Sequence, residues 1–383
     1  MRTSPVAACL APLILAATLA ALPALAAAQG AVLPPLKTNS VIASTIPGNG
    51  DVNPYGVVQV KRSTGRLVAG NILVSNFNDS SNLQGTGTTI VQVAPDGTLT
   101  LFAGINAADL PGPCPGGVGL TTALAVLESG WVIVGSLPTA DGTSATAQAG
   151  CLIVLDSMGN VAETFSGALI NGPWDMTAFD GGNSAKLFVT NVLNGTVAAG
   201  GNVVNGGTVT RLNLRLSEYA MPRLESITVI ASGFAERTDP NALVIGPTGV
   251  GLSVSGGNDC GDQGEDQDAR LYVADTLNNR VVAIDNPLTR SSSAGTGHTL
   301  SAGGALNGPL GLTVTAGGEI LTVNGGDGLI TEITPGGRQA AHAQLDSSGS
   351  PPGAGALFGL VFDPRRGVFF VDDNTNTLNL LHR

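Results

Sequence analysis

Six short apolar runs in this chain end on an oxygen-bearing side chain: Ile72-Leu73-Val74-Ser75-Asn76, Val132-Ile133-Val134-Gly135-Ser136, Leu187-Phe188-Val189-Thr190-Asn191, Leu271-Tyr272-Val273-Ala274-Asp275, Ile320-Leu321-Thr322-Val323-Asn324 and Val368-Phe369-Phe370-Val371-Asp372. Calcium is held by oxygen ligands from several parts of a chain. If the runs converge, Asn76, Ser136, Asn191, Asp275, Asn324 and Asp372 are candidate ligands, with Asp275 and Asp372 supplying charge. The competing reading is local, because Asn, Asp and Ser also cap the turn that follows them through short side-chain to backbone bonds.

A second constellation stands before other apolar runs. Asn53-Pro54-Tyr55-Gly56, Asn171-Gly172-Pro173-Trp174-Asp175 and Asn307-Gly308-Pro309-Leu310-Gly311 each open with Asn, and Phe358 holds the corresponding place before Gly359. Aromatics make up only 4% of the chain. A convergence of Tyr55, Trp174 and Phe358, edged by Asn53, Asn171 and Asn307, would therefore form a stacking platform for a sugar, a peptide or a flat ligand. Packing between structural units is the alternative. The carboxylate-dense run from Asp259 to Asp268 reads as a solvated acidic loop or a structural calcium loop, without the Asp spacing and terminal Glu of an EF-hand. His298, His342 and His382 fall outside the inner strands, which leaves a histidine general base or a histidine-bound zinc without residues.

The elements that must position these groups repeat. A Gly followed by an aliphatic strand (Gly56-Val57, Gly119-Leu120, Gly249-Val250, Gly311-Leu312, Gly359-Leu360, with Asp175-Met176 in the third unit) precedes each oxygen-terminated run. A third strand follows in every unit and an outer one in most, separated by Gly and Asn. Small twisted sheets of this kind bury both faces only between two neighbours, so the repeat predicts an all-β, radial six-bladed propeller. The last unit runs out after its third strand at Arg383. The stretch Ser40–Ile46 is the missing outer strand, expected to close the ring by completing the sixth blade and removing an open edge. The segments joining the second and third strands, Asn76–Thr88, Ser136–Gly150 and Asn191–Gly207, are long, rich in small polar residues and expected to be mobile surface loops.

Through the phrase Leu271–Asp285, and more loosely through the other units, the chain resembles the NHL-repeat β-propellers. The resemblance implies a ring-shaped scaffold and no particular chemistry. The Asn-Gly entrances and the strand-ending Asp residues are also similar to those of gluconolactonase and strictosidine-synthase-like propellers. That likeness would give Asn171, Asn307, Asp275 and Asp372 roles around a calcium ion, although no early Glu-containing motif accompanies them.

Arg2, the apolar stretch Leu10–Ala28 and its Ala-rich end read as a secretory signal peptide over residues 1–28, the alternative being an uncleaved anchor. Residues 29–39 are then a flexible lead-in and 40–383 the propeller. The formal charge of −11 becomes one unit more negative once Arg2 leaves, which excludes a basic face for nucleic acid. No later stretch is apolar enough to span a bilayer. Three pairings are open to Cys114, Cys151 and Cys260 in an oxidising compartment. The expected bond is Cys114–Cys151, between the loop entering the second blade and the start of its third strand. The expectation is a secreted or periplasmic, monomeric, non-catalytic scaffold that binds a protein, small molecule or carbohydrate through its loops. The competing expectation is a calcium-dependent, lactonase-like hydrolase.

Overall fold

The computed structural model describes residues 31–217, 220–255 and 268–383, which form one compact unit. The expected signal peptide and most of the acidic run, from Asp259 to Gln267, lie outside the described residues. Among those described, no helix is long and apolar enough to cross a membrane.

Six antiparallel sheets form the ring. The N-terminal strand β1 (Thr38–Ser44) is followed by blade 1, made of β2 (Val52–Gln59), β3 (Ile72–Asn78), β4 (Thr89–Val93) and β5 (Leu99–Gly104). Blade 2 comprises β6 (Leu120–Val126), β7 (Val132–Ser136), β8 (Cys151–Leu155) and β9 (Val161–Phe165). Blade 3 has five strands: β10 (Pro173–Asp180), β11 (Ser184–Asn191), β12 (Val204–Ser217), β13 (Ala220–Asp239) and β14 (Leu243–Ile245). Blade 4 is β15 (Pro247–Ser255), β16 (Asp268–Asp275), β17 (Arg280–Asp285) and β18 (His298–Ala302). Blade 5 is β19 (Pro309–Val314), β20 (Ile320–Asn324), β21 (Leu329–Ile333) and β22 (Gln339–Gln344). Blade 6 is β23 (Leu357–Asp363), β24 (Gly367–Asp372) and β25 (Thr377–His382), completed by β1 as its outer strand.

The burial pattern explains the sequence pattern. The second strands lie between neighbouring blades, so β3, β7, β20 and β24 are buried on both faces and read as unbroken apolar runs. Outer strands such as β5 and β18 are partly exposed and carry polar residues. The recurring Gly of the inner strands has a steric cause. A Cβ at Gly249, Gly311 or Gly359 would collide with the backbone carbonyl oxygen of Leu310, Phe358 or Tyr55 in the next blade, so only glycine lets the inner strands approach this closely. Hydroxyls at the second strands latch neighbours together. Ser75 accepts from the Gly56 amide and donates to the Thr121 carbonyl, while Thr190 accepts from Asp175 and donates to Thr248.

Ring closure uses more chain than Ser40–Ile46. β1 pairs with β25 from Thr38↔His382 to Ser44↔Thr377. The segment expected to be flexible up to residue 39 is packed from Ala31 onward. The amides of Val32 and Leu33 donate to the two oxygens of buried Glu332 at 2.8 and 2.9 Å, and Leu33 and Leu36 enter the core beside Leu321 and Phe370. The reason is physical: a buried carboxylate in blade 5 is satisfied by these amides.

Candidate functional site

In this ring the connections that lead into the inner strands, and those between second and third strands, share one face, here called the top. The aromatic side chains of that face do converge. Tyr55 stacks on Phe77 with ring centroids 4.4 Å apart and on Phe358 at 3.9 Å, and Trp174 lies 6.5 Å from Phe358. They form a plug, however, and not an open platform. Tyr55 is 2% exposed, Trp174 3% and Phe358 1%. The plug is sealed by β14, whose Val244 carbonyl accepts a hydrogen bond from Trp174 Nε1 at 3.1 Å. Within β14, buried Leu243 adopts φ 60°, a strained conformation for leucine. The void left among these rings, about 10 Å³, is too small for a ligand.

The three entrance asparagines are engaged separately, Asn53 across the seam to blade 6 and Asn171 and Asn307 within their own blades. Asn53, at φ 61°, donates its amide to Asn376 Oδ1. Asn171 donates through Nδ2 to the Leu193 carbonyl and to Asn194 Oδ1. Asn307 is exposed and donates to Asp327.

The strand-ending residues are likewise engaged locally. Asp275 is fully buried, with Arg280 Nε 2.8 Å from Oδ2 and Asn278 Nδ2 3.0 Å from each oxygen. Asp372 caps its turn by accepting from the Thr375 amide, and burial, then the charge of Asp346, raises its pKa. Asn76 donates to Thr45 and Thr89, Asn191 to Val189 and Thr210, Asn324 to Ala305 and Asp327, and Ser136 to Gly117. The Oδ1 atoms of Asn76, Asn191 and Asn324 find no donor among the described residues. Among the described residues no three His, Cys, Asp or Glu side chains are grouped to hold a metal. Asp275, the one fully buried carboxylate of the set, is already neutralised by Arg280, which argues against calcium at that residue.

The long top loops of blades 1 and 2 interlock instead of waving free. Gln84 Nε2 donates to the Pro240 carbonyl in the β13–β14 turn, and Thr139 binds Gly85 and Gln84 through its amide and hydroxyl. Asp79 caps Ser81 and Leu83, and Asp141 caps the Thr143–Thr146 turn. A Cys114–Cys151 disulfide ties the loop entering blade 2 to β8. The outcome is a ledge across blades 1 to 3 that exposes Leu83, Ala140 and Asp141. Hydrogen bonds from Thr146 and Thr143 hold the Asp141 carboxyl below its usual range. The adjoining Arg237 is paired with Asp239 at 2.9 Å, which leaves the ledge acidic.

Buried acids passed over in the sequence include Asp175 and Glu236. Asp175 occupies the place that Gly249, Gly311 and Gly359 hold in other blades. Its Oδ1 accepts from the Met176 amide at 2.8 Å and its Oδ2 from the Val250 amide of blade 4 at 2.9 Å, while burial pushes its pKa up to about 8. The signal existed, since Pro173-Trp174-Asp175 breaks the Pro-x-Gly pattern of Pro54-Tyr55-Gly56. Glu236, inside β13, accepts from the Asn194 amide, and burial raises it to about 7. Nothing in its sequence neighbourhood marks it.

No family model matches the chain, and no curated protein matches it. Solved structures share its fold. A gluconolactonase from Xanthomonas campestris is 12% identical over 92% of this chain and 91% of its own, with a TM-score of 0.54. Regucalcin, a calcium-binding protein from Agrobacterium tumefaciens, is 13% identical over 91% and 94%, also at 0.54. At these identities the likeness defines the class of architecture, a six-bladed β-propeller.

Proposed function

We propose that the chain is an NHL-like propeller that works outside the cytoplasm as a non-catalytic scaffold, docking a protein partner on the ledge of blades 1 to 3. The observation that carries this reading is the sealed channel mouth. With Tyr55, Trp174 and Phe358 stacked on one another beneath β14, the top face offers a surface in place of a cleft. Sugar recognition needs an exposed aromatic face, which favours a protein over a carbohydrate. Interlocked loops lose little conformational entropy on binding. The acidic ledge suits a partner with a neutral or basic patch. The expected leader and the Cys114–Cys151 bond both support an oxidising compartment.

Photo-crosslinking residues placed at Leu83 and Ala140, with a control at Asp96 in the β4–β5 turn of the opposite face, test this in extracytoplasmic extract of the source cell. Adducts of one partner from Leu83 and Ala140 only are expected. Equal labelling from Asp96, or none from any position, overturns the reading.

The second reading, a calcium-dependent lactonase-like hydrolase, is favoured by the fold shared with gluconolactonase and regucalcin. It would require ligands other than the strand-ending residues.

A further inference from the structure

Below the plug the inner strands diverge into a cavity of about 290 Å³, the liquid volume of about ten waters. Its lining runs from the middle of each inner strand to its C-terminal end, with exposed Lys61 at the rim, so it opens on the face opposite the ledge. The wall is mixed, more polar than apolar, with Val57, Leu124, Met176, Val250, Leu312 and Leu360 supplying its apolar side chains. Among the described residues Asp175 is the one acidic group lining it, at the closed end.

The surroundings of Asp175 are incomplete in either charge state. Ionised, it would be a buried charge with no counter-ion, since both of its hydrogen-bond partners are neutral backbone amides. Protonated, it carries an O–H that those two N–H donors cannot accept. Among the described residues Lys61, the other ionisable group of the lining, lies at the rim, and no charge shifts the carboxyl.

We propose that this cavity is a binding site for a small neutral molecule, whose body lies against its apolar side chains and whose carbonyl or hydroxyl oxygen accepts a hydrogen bond from the Asp175 carboxyl. The site is independent of the ledge and stands whether or not a protein docks there. Burial keeps the proton in place up to about pH 8, so the site is ready at neutral pH.

The probe is cyclohexanone, titrated into the mature chain labelled with ¹³C at methionine methyls. Met176 lines the cavity, and exposed Met158 and Met221 serve as internal controls. The expected result is a saturable shift of Met176 alone. Its apparent Kd should rise more than tenfold between about pH 6.5 and 9.5 as the donor ionises. In Asp175→Asn, whose amide still donates but does not titrate, binding should persist and lose its pH dependence. Three outcomes overturn the proposal: no saturable shift, as for a merely water-filled channel; wild-type binding indifferent to pH; or cyclohexylammonium binding that strengthens as pH rises, as for a cation site.

Discussion

The rings of Tyr55 and Phe358 lie face to face, 3.9 Å between centroids and 20° from parallel, so the first and last blades are joined by the contact that also closes the axis. The ring is thus fastened twice, at its rim by β1 on β25 and at its centre by this stack.

Phe358→Ala should open a cavity in the plug and cost about 3–5 kcal/mol in urea unfolding. Trp174→Phe keeps one aromatic ring but loses the bond to Val244 and part of the indole's volume, for a smaller cost of about 1–2 kcal/mol. It should also speed amide exchange in Leu243–Ile245. Equal costs for both variants would argue against a plug held by stacking.

Stability should fall as pH rises. Asp175, Glu236 and Asp373 keep their protons to about 8, 7 and 7 in the folded chain, through burial and, for Asp373, also the charge of Asp372. Unfolded, they titrate near 4. Between these values the native state binds more protons, so rising pH destabilises it until the folded values are passed. Asp363 acts in the opposite sense. Despite the cost of burial, hydrogen bonds from the Arg365 amide, Gln59 and Arg366 hold it at about 2, and its contribution disappears as pH drops from about 4 to 2. The melting midpoint should therefore peak near pH 4 to 5, and Asp175→Asn should flatten the decline above it. A midpoint rising from pH 5 to 8 would contradict this.

Asp275→Ala removes one partner of a buried ion pair and should cost about 3–5 kcal/mol, equally with calcium or with chelator. A loss confined to calcium-containing buffer would mark Asp275 as a ligand after all.

Replacing both Cys114 and Cys151 by Ala opens a 37-residue separation and should cost about 2–4 kcal/mol in denaturant unfolding. The ledge loops anchored beside Cys151 should become more sensitive to protease. A loss under about 1 kcal/mol would show the bond to be dispensable.

The propeller was legible because its signals are local. Leu271–Asp285 alternates as a strand, turns at its Asx residues and returns, and the structure pairs Leu271 with Ile284 and Val273 with Val282. The run Val161–Phe165 reads as an outer strand and is one, β9. Non-local relations were not legible. Ile227–Ala231, read as a short outer strand, is the middle of the twenty-residue β13. The chain beyond it turns back as β14 to cover three aromatics for which an open platform and packing between units were both open readings. Their convergence followed from the repeat, whereas their burial depended on a strand belonging to no repeat. The same holds for Leu33 and Leu36, whose anchor is Glu332, some three hundred residues away.

Calcium-dependent calorimetry run beside a lactone-hydrolysis assay on the mature chain tests the scaffold reading most directly. The account predicts a melting midpoint unmoved by calcium or chelator and no lactone turnover. A midpoint raised by calcium, with turnover that chelator abolishes, would contradict it and make the chain a hydrolase.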